Sequence, residues 1–275
     1  MWQIINKHSS KKKLLSLKSN ITPDSFNNYF VNVSHNLKCN IPTSDFDPTK
    51  FFQNISISSP ISGNFTFHEV SYSEVRELID TMKNKTSRDK FGLSVKLVKS
   101  IKNIIIISLT KLINQCLRQG IFPGILKEAI VIPIFKKVDP DSPENYRPIA
   151  LLPIISKILE KCIAKQLTKF FENNKYFSNC QFGFRKDKNT IQGIESLVAG
   201  ILEGFQNLKY NTIVSCDLSK AFDCVDHGVL LRKLTRYHIS QSAIQLIRSY
   251  LEGRCQKVRV SGVESVEDSI TDGVP

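Results

Sequence analysis

The sequence has no Cys-x-x-Cys pair, no apolar run long enough to cross a bilayer and no internal repeat. Each absence excludes something. The seven cysteines, at positions 39, 116, 162, 180, 216, 224 and 255, are odd in number and scattered. That argues against a zinc site or a disulfide framework and fits a reducing compartment. The densest apolar stretch, residues 104–107, falls far short of the ~20 residues of a membrane helix. Polar and basic residues follow Met1-Trp2-Gln3 where a secretory signal would carry its apolar segment. A soluble intracellular protein is expected, in nucleus or cytoplasm, with no membrane partner. Acidic side chains are outnumbered: 25 Asp and Glu stand against 38 Lys and Arg, a net charge of +13. Such an excess suits a polyanion, most often nucleic acid, with simple solubility as the plainer account. Hydrophobic residues make up 41% of the 275 residues, which excludes a wholly disordered chain and is enough for one large domain or two small ones.

Residues 1–65 read as a linker. They hold the basic run Lys11-Lys12-Lys13, prolines at 23, 42, 48 and 60, and a short amphipathic helix marked by Phe26, Tyr29, Phe30, Val33 and Leu37. Ser71-Tyr72-Ser73-Glu74 fits a capping box, and Val75, Leu78, Ile79 and Met82 follow at helical spacing. A longer helix is expected over 94–119, stopped by Gly120, with Leu97, Ile101, Ile105, Leu109, Leu112 and Cys116 among its apolar positions. Residues 129–135 read as a strand in which Pro133 marks an edge or a bulge. Helices are expected over 156–172, over 190–205 and around Ala243, Ile244, Ile247 and Leu251. Residues 211–217 read as a strand ending in Asp217. Residues 256–260 read as another, turning at Ser261-Gly262 into its partner. Helices mixed with antiparallel hairpins predict an α+β fold.

The most informative stretch is Asp217-Leu218-Ser219-Lys220-Ala221-Phe222-Asp223. A carboxylate at a strand end can take a hard divalent cation together with substrate phosphates, and phosphoryl transfer asks little more of a protein than metal, in-line geometry and charge compensation. On residue chemistry alone an Asp there more often serves a turn. Asp223 and Asp226 equally suit the cap of a following helix, and His227 suits a surface or capping position. Phe222 alone would be an ordinary core residue.

This heptapeptide closely resembles the first catalytic palm motif of the reverse transcriptases of non-LTR (LINE-like) retrotransposons. The resemblance implies that Asp217 is catalytic and binds the metals, Mg²⁺ or possibly Mn²⁺, with the backbone carbonyl of Leu218 completing one site. It puts Phe222 where the family places an aromatic gate against the ribose 2′-hydroxyl. Further blocks resemble the same family in order. Residues 131–137 followed by Asn145-Tyr146-Arg147-Pro148 resemble its fingers motif, with Lys136, Lys137 and Arg147 as nucleotide or template contacts. Gln181-Phe182-Gly183-Phe184-Arg185 resembles the next block, with Gln181, Gly183 and Arg185 toward nucleic acid. Asn189 stands where the family commonly has Ser. Residues 87–94 resemble the opening block, with Phe91 in place of an Asp, and Asp272-Gly273-Val274-Pro275 resembles the piece lying against template and nucleotide, through Gly273 and Pro275.

The fold implied is a right-hand polymerase, with a linker over 1–65, fingers over 66–205 and the first part of the palm over 206–275. The activity implied is RNA-directed DNA polymerisation, with RNA template, DNA primer or target and deoxynucleoside triphosphates as partners. No Asp-Asp dipeptide occurs in the chain, and the family's Asp-Asp hairpin, thumb and endonuclease have no counterpart in it. The chain is therefore expected to be truncated and inactive alone, and a non-catalytic nucleic-acid-binding remnant is the alternative.

Overall fold

A computed structural model describes residues 20–39, 60, 63–136 and 139–274. The Lys11-Lys12-Lys13 run, Lys137 and Pro275 lie outside the described residues. The fold mixes α and β, as the sequence implies.

The helices start and stop where side-chain chemistry dictates. Helix α1 spans Pro23–Cys39, where the amphipathic patch predicts one. Helix α2, Tyr72–Thr81, opens with the expected capping box: Glu74 N–H donates to the Ser71 hydroxyl and Ser71 N–H to the Glu74 carboxylate. Helix α3, Val95–Gln119, is capped by Ser94 and ended by Gly120 in the left-handed conformation, φ 67°. Of its expected apolar positions, Leu109 and Cys116 are buried and others are not. Val98, Ile106, Leu109, Ile113, Cys116 and Leu117 point inward while Leu97 and Leu112 are exposed. Apolar residues run around most of this helix, so periodicity alone leaves its rotation undetermined.

Helix α4, Ile154–Asn173, begins at Pro153 without a side-chain cap of its own. Asp89 supplies one from a distance, its Oδ2 accepting the Ile154 N–H at 2.8 Å while Oδ1 holds the N–H groups of Phe91 and Leu93. Helix α5, Thr190–Gln206, is capped by Asn189 in a box with Gln192. The residue that departs from the family's pattern thus serves as an N-cap, a place where Asn is as good as Ser. Helices α6, His227–Arg236, and α7, Gln241–Leu251, carry Asp226 and Ser240 as caps.

The sheet is small. Strand β1, Glu128–Phe135, lies between β2, Tyr146–Leu151, antiparallel to it, and β3, Arg254–Val260, parallel to it. The β1–β3 register ends at Val131, so Pro133 needs no amide on that side, and on the other side it faces Pro148. The strand is internal, yet the proline falls where one flank is open, as a residue without an N–H requires. Ser261 and Gly262, both at positive φ, turn β3 into β4, Val263–Glu264, and β5, Asp268–Ile270, pairs with β3.

The strand expected over 211–217 is absent. Residues 209–218 form neither helix nor strand and are exposed. A strand needs a neighbour for its amides and carbonyls, and every strand among the described residues is paired elsewhere.

Among the described residues, three apolar clusters form the core. The largest joins α2, α3, α4 and α7 through Val75, Ile79, Val98, Ile113, Ile158 and Leu246. A second gathers Phe65, Phe170, Leu231, Ile244 and Leu251. The third sits between α1 and the sheet: Phe26, Val131, Tyr146 and Val258.

Candidate active site

The residues singled out by the sequence fall on one face in part. After the extended segment that carries Asp217, the chain makes a turn over 219–224. Lys220 is at φ 53° and its carbonyl accepts the Cys224 N–H at 3.1 Å. Phe222 rides on this turn, largely exposed, with its ring edge-on to that of Phe184 at 5.8 Å. The two phenylalanines come from separate sequence blocks.

Gly273 lies directly on the same turn. Its N–H donates to the Val225 carbonyl at 2.9 Å, the next amide, Val274, donates to the Phe222 carbonyl at 3.0 Å, and its own carbonyl lies 2.7 Å from His227 Nε2. With φ at +83°, a Cβ on Gly273 would stand 2.8 Å from the Asp223 carbonyl oxygen. Only glycine fits a site that is both left-handed and this close to another backbone. Two stretches about fifty residues apart in sequence, read separately as site pieces, are thus one surface.

Asp217 is exposed, in the coil before the turn. Asp223 is half-buried, and burial pushes its carboxyl above the ordinary range while Lys220 opposes the shift. Among the described residues no three His, Cys, Asp or Glu side chains converge as a metal cage would. A single carboxylate such as that of Asp217 is by its chemistry a donor that Mg²⁺ takes together with phosphate oxygens and water.

Lys136 and Arg147 are exposed at the loop end of the β1–β2 hairpin. Lys136 N–H closes the hairpin on the Asn145 carbonyl at 2.8 Å, and Arg147 stands opposite Ile134. Their charges face solvent. Arg185 is placed differently. Its Nε and Nη2 grip both oxygens of Glu172 at 3.0 and 2.7 Å, its Nη1 donates to the Ser178 carbonyl at 2.8 Å, and its plane lies over the Phe177 ring. The guanidinium holds Glu172 below the usual carboxylate range. This fork is occupied in tying the 178–188 loop to the end of α4. Gln181 and Gly183 are exposed on that loop, and a Cβ on Gly183 would meet nothing within 4 Å.

Sequence reasoning missed several groups. Lys38 of α1 lies 2.5 Å from Asp272 and 3.9 Å from Asp226. Lys220 sits over the ring of Tyr29, also on α1. His227 holds the Gly273 carbonyl. No local pattern marks these contacts, because each joins residues far apart in the chain.

Comparison with known proteins agrees with the motifs. The family described as reverse transcriptase (RNA-dependent DNA polymerase) matches residues 134–275. The chain is 30% identical over 221 residues to the probable RNA-directed DNA polymerase from transposon BS of Drosophila melanogaster, covering 80% of this chain and 24% of that protein. It is 30% identical over 221 residues to the RNA-directed DNA polymerase from mobile element jockey of Drosophila funebris, again 80% and 24%. A third relative, the probable RNA-directed DNA polymerase from transposon X-element of Drosophila melanogaster, is 32% identical over 203 residues, 74% of this chain and 22% of that protein. The chain spans about a quarter of the length of these curated relatives. It belongs to the reverse transcriptase (RNA-dependent DNA polymerase) family and is akin to the polymerases of non-LTR retrotransposons.

Proposed function

We propose that this chain is the fingers and leading palm portion of a non-LTR retrotransposon polymerase that copies RNA into DNA. Fingers run over 66–205, palm over 206–275 and a joining segment over 1–65. The observation that carries the reading is the seating of Gly273 on the Phe222 turn, which joins two family motifs into one surface. In this reading Asp217 and the Leu218 carbonyl hold Mg²⁺, with Mn²⁺ as a substitute. The metal supplies charge compensation for the phosphates. Lys136, Lys137 and Arg147 hold phosphate oxygens of the incoming nucleotide, Phe222 stands against the sugar and refuses a 2′-hydroxyl, and Gln181, Gly183, Gly273 and Pro275 line the template side. An RNA template and a DNA primer are the partners, met inside the cell.

A single carboxylate at the metal is a weak site, so this chain alone binds nucleotide without turning it over. The test is titration of Mg²⁺ with a deoxynucleoside triphosphate or its ribo counterpart. Metal-dependent binding that favours the deoxy form, disappears in Asp217→Asn and loses its sugar preference in Phe222→Ala supports the reading. Binding indifferent to both substitutions sinks it. The exposure of Asp217, with no cluster of three His, Cys, Asp or Glu among the described residues, favours one second reading, a remnant that binds nucleic acid without catalysis. Metal-independent binding of RNA or DNA, with no nucleotide binding, would select it.

A further inference from the structure

Helix α1 comes from the stretch that reads as a linker, yet it is bonded like an interior element. Asn27 is fully buried, and every polar contact of its amide is made. Its Nδ2 donates to the Val266 carbonyl at 3.0 Å and to Asp268 Oδ2 at 2.8 Å, and its Oδ1 accepts from Gln256 Nε2 at 3.0 Å. Asp24 accepts the Val266 N–H at 2.8 Å. These bonds anchor the first half of the helix to β3 and to the stretch leading into β5. A buried amide of this kind specifies one docking geometry, because any other leaves it unsatisfied.

Other residues of the helix contact the Phe222 turn and the stretch before Gly273. Tyr29 receives Lys220, two residues before Phe222. Ser34 donates to Asp272 Oδ2 at 3.2 Å, and Lys38 pairs with Asp272 Oδ1 at 2.5 Å in a largely buried position for the acid. Asp272 precedes Gly273, whose backbone is bonded to the turn. Lys38 also lies 3.9 Å from Asp226, itself the cap of α6.

We infer that α1 is a positioning element of the nucleotide pocket: Lys38, through Asp272, holds Gly273 on the carbonyls of Phe222 and Val225 and so sets where the Phe222 ring stands. The link to a pocket rests on the reading of Phe222 given above; the clamp itself rests on the contacts alone.

Amide hydrogen exchange in the 275-residue chain separates the two. Lys38→Met keeps most of the unbranched side chain and removes its charge. Exchange at Gly273 and Val274 should quicken about tenfold, the scale of one partly buried charge-assisted bond, while β3 and residues 23–33 keep their protection. Lys38→Arg should restore the slow rates, and the deoxy preference of nucleotide binding should narrow in the Met variant alone. Unchanged rates at Gly273 and Val274 would overturn the clamp. So would a rise shared by β3, which would make α1 a general stabiliser. If Phe222→Ala leaves sugar preference untouched, the nucleotide reading falls, and the exchange pattern still decides the clamp.

Discussion

Helices α4 and α5 are similar in length and both carry an apolar face, yet they meet opposite environments. In α4, Ile154, Ile158, Leu159, Cys162 and Phe170 are buried against α2, α3 and neighbouring elements. In α5 only Gly204 is buried, and Ile194 and Phe205 remain 56% and 63% exposed. The segment after α5 shares this condition, with Ile213, Val214 and Leu218 all in solvent. Amphipathic spacing specifies that a face seeks cover and says nothing of what covers it. Exposed apolar patches of this kind mark interaction surfaces or sites of aggregation.

The largest effect that could break this comparison is on stability. Ile158→Ala should lower the unfolding free energy by about 2–5 kcal/mol, the cost of a core truncation. Ile194→Ala should change it by under about 0.5 kcal/mol, as at a solvent-exposed position. Urea unfolding of both variants checks the pair; equal losses would mean that α5 is packed after all.

The second test compares cations. Arg185, on the loop before α5, is held by Glu172, whereas Lys136 and Arg147 near the sheet are exposed. Replacing Lys136, Lys137 and Arg147 together with Ala should reduce the salt dependence of oligonucleotide binding by about 2 in log–log slope. Arg185→Ala should leave that slope unchanged and loosen the 178–188 loop. Fluorescence anisotropy over a salt series distinguishes them, and a reduced slope in Arg185→Ala would return that residue to the binding surface.

On the Phe222 turn that follows the exposed segment, Gly273→Ala places a Cβ against the Asp223 carbonyl at positive φ. It should destabilise the local turn by about 1–3 kcal/mol, read as faster exchange of the Val274 amide with little change in α4.

The smallest effect concerns the two capping boxes. Glu74 in the α2 box is held below its ordinary pKa chiefly by the Ser71 backbone N–H, with the Ser71 hydroxyl next. A depressed carboxylate adds stability that is present above its unfolded value, near 4.5, and is lost as pH falls through the lower folded value. The α5 box uses neutral Asn189 and Gln192 and has no such dependence. Acid should fray the start of α2 by up to about 1 kcal/mol and leave the start of α5 unaffected, as amide exchange on an acid series would show.

Much of this molecule is legible in its residues. Ser71, Ser94, Asn189, Asp226 and Ser240 start helices and Gly120 stops one, because caps are satisfied by neighbours in sequence. The Ser261-Gly262 turn is local for the same reason. The motif Asp217–Asp223 could be assigned to a family by its resemblance to that family's palm motif. The strand over 211–217 could not be secured, since its alternation asks for a partner that no described strand supplies. The inward face of α3 was hidden by apolar residues on most of its sides.

The sequence by itself determined where the locally capped helices start, where Gly120 stops one and where the Ser261-Gly262 hairpin turns. The tertiary structure alone decided that α1 is part of the body, that Arg185 belongs to Glu172, and that Gly273 rests on the Phe222 turn. The physical reason is range. Caps, turns and periodicity act within a few residues, whereas a buried amide such as Asn27 or a pair such as Lys38 and Asp272 joins positions more than two hundred residues apart, and only folding brings them within bonding distance.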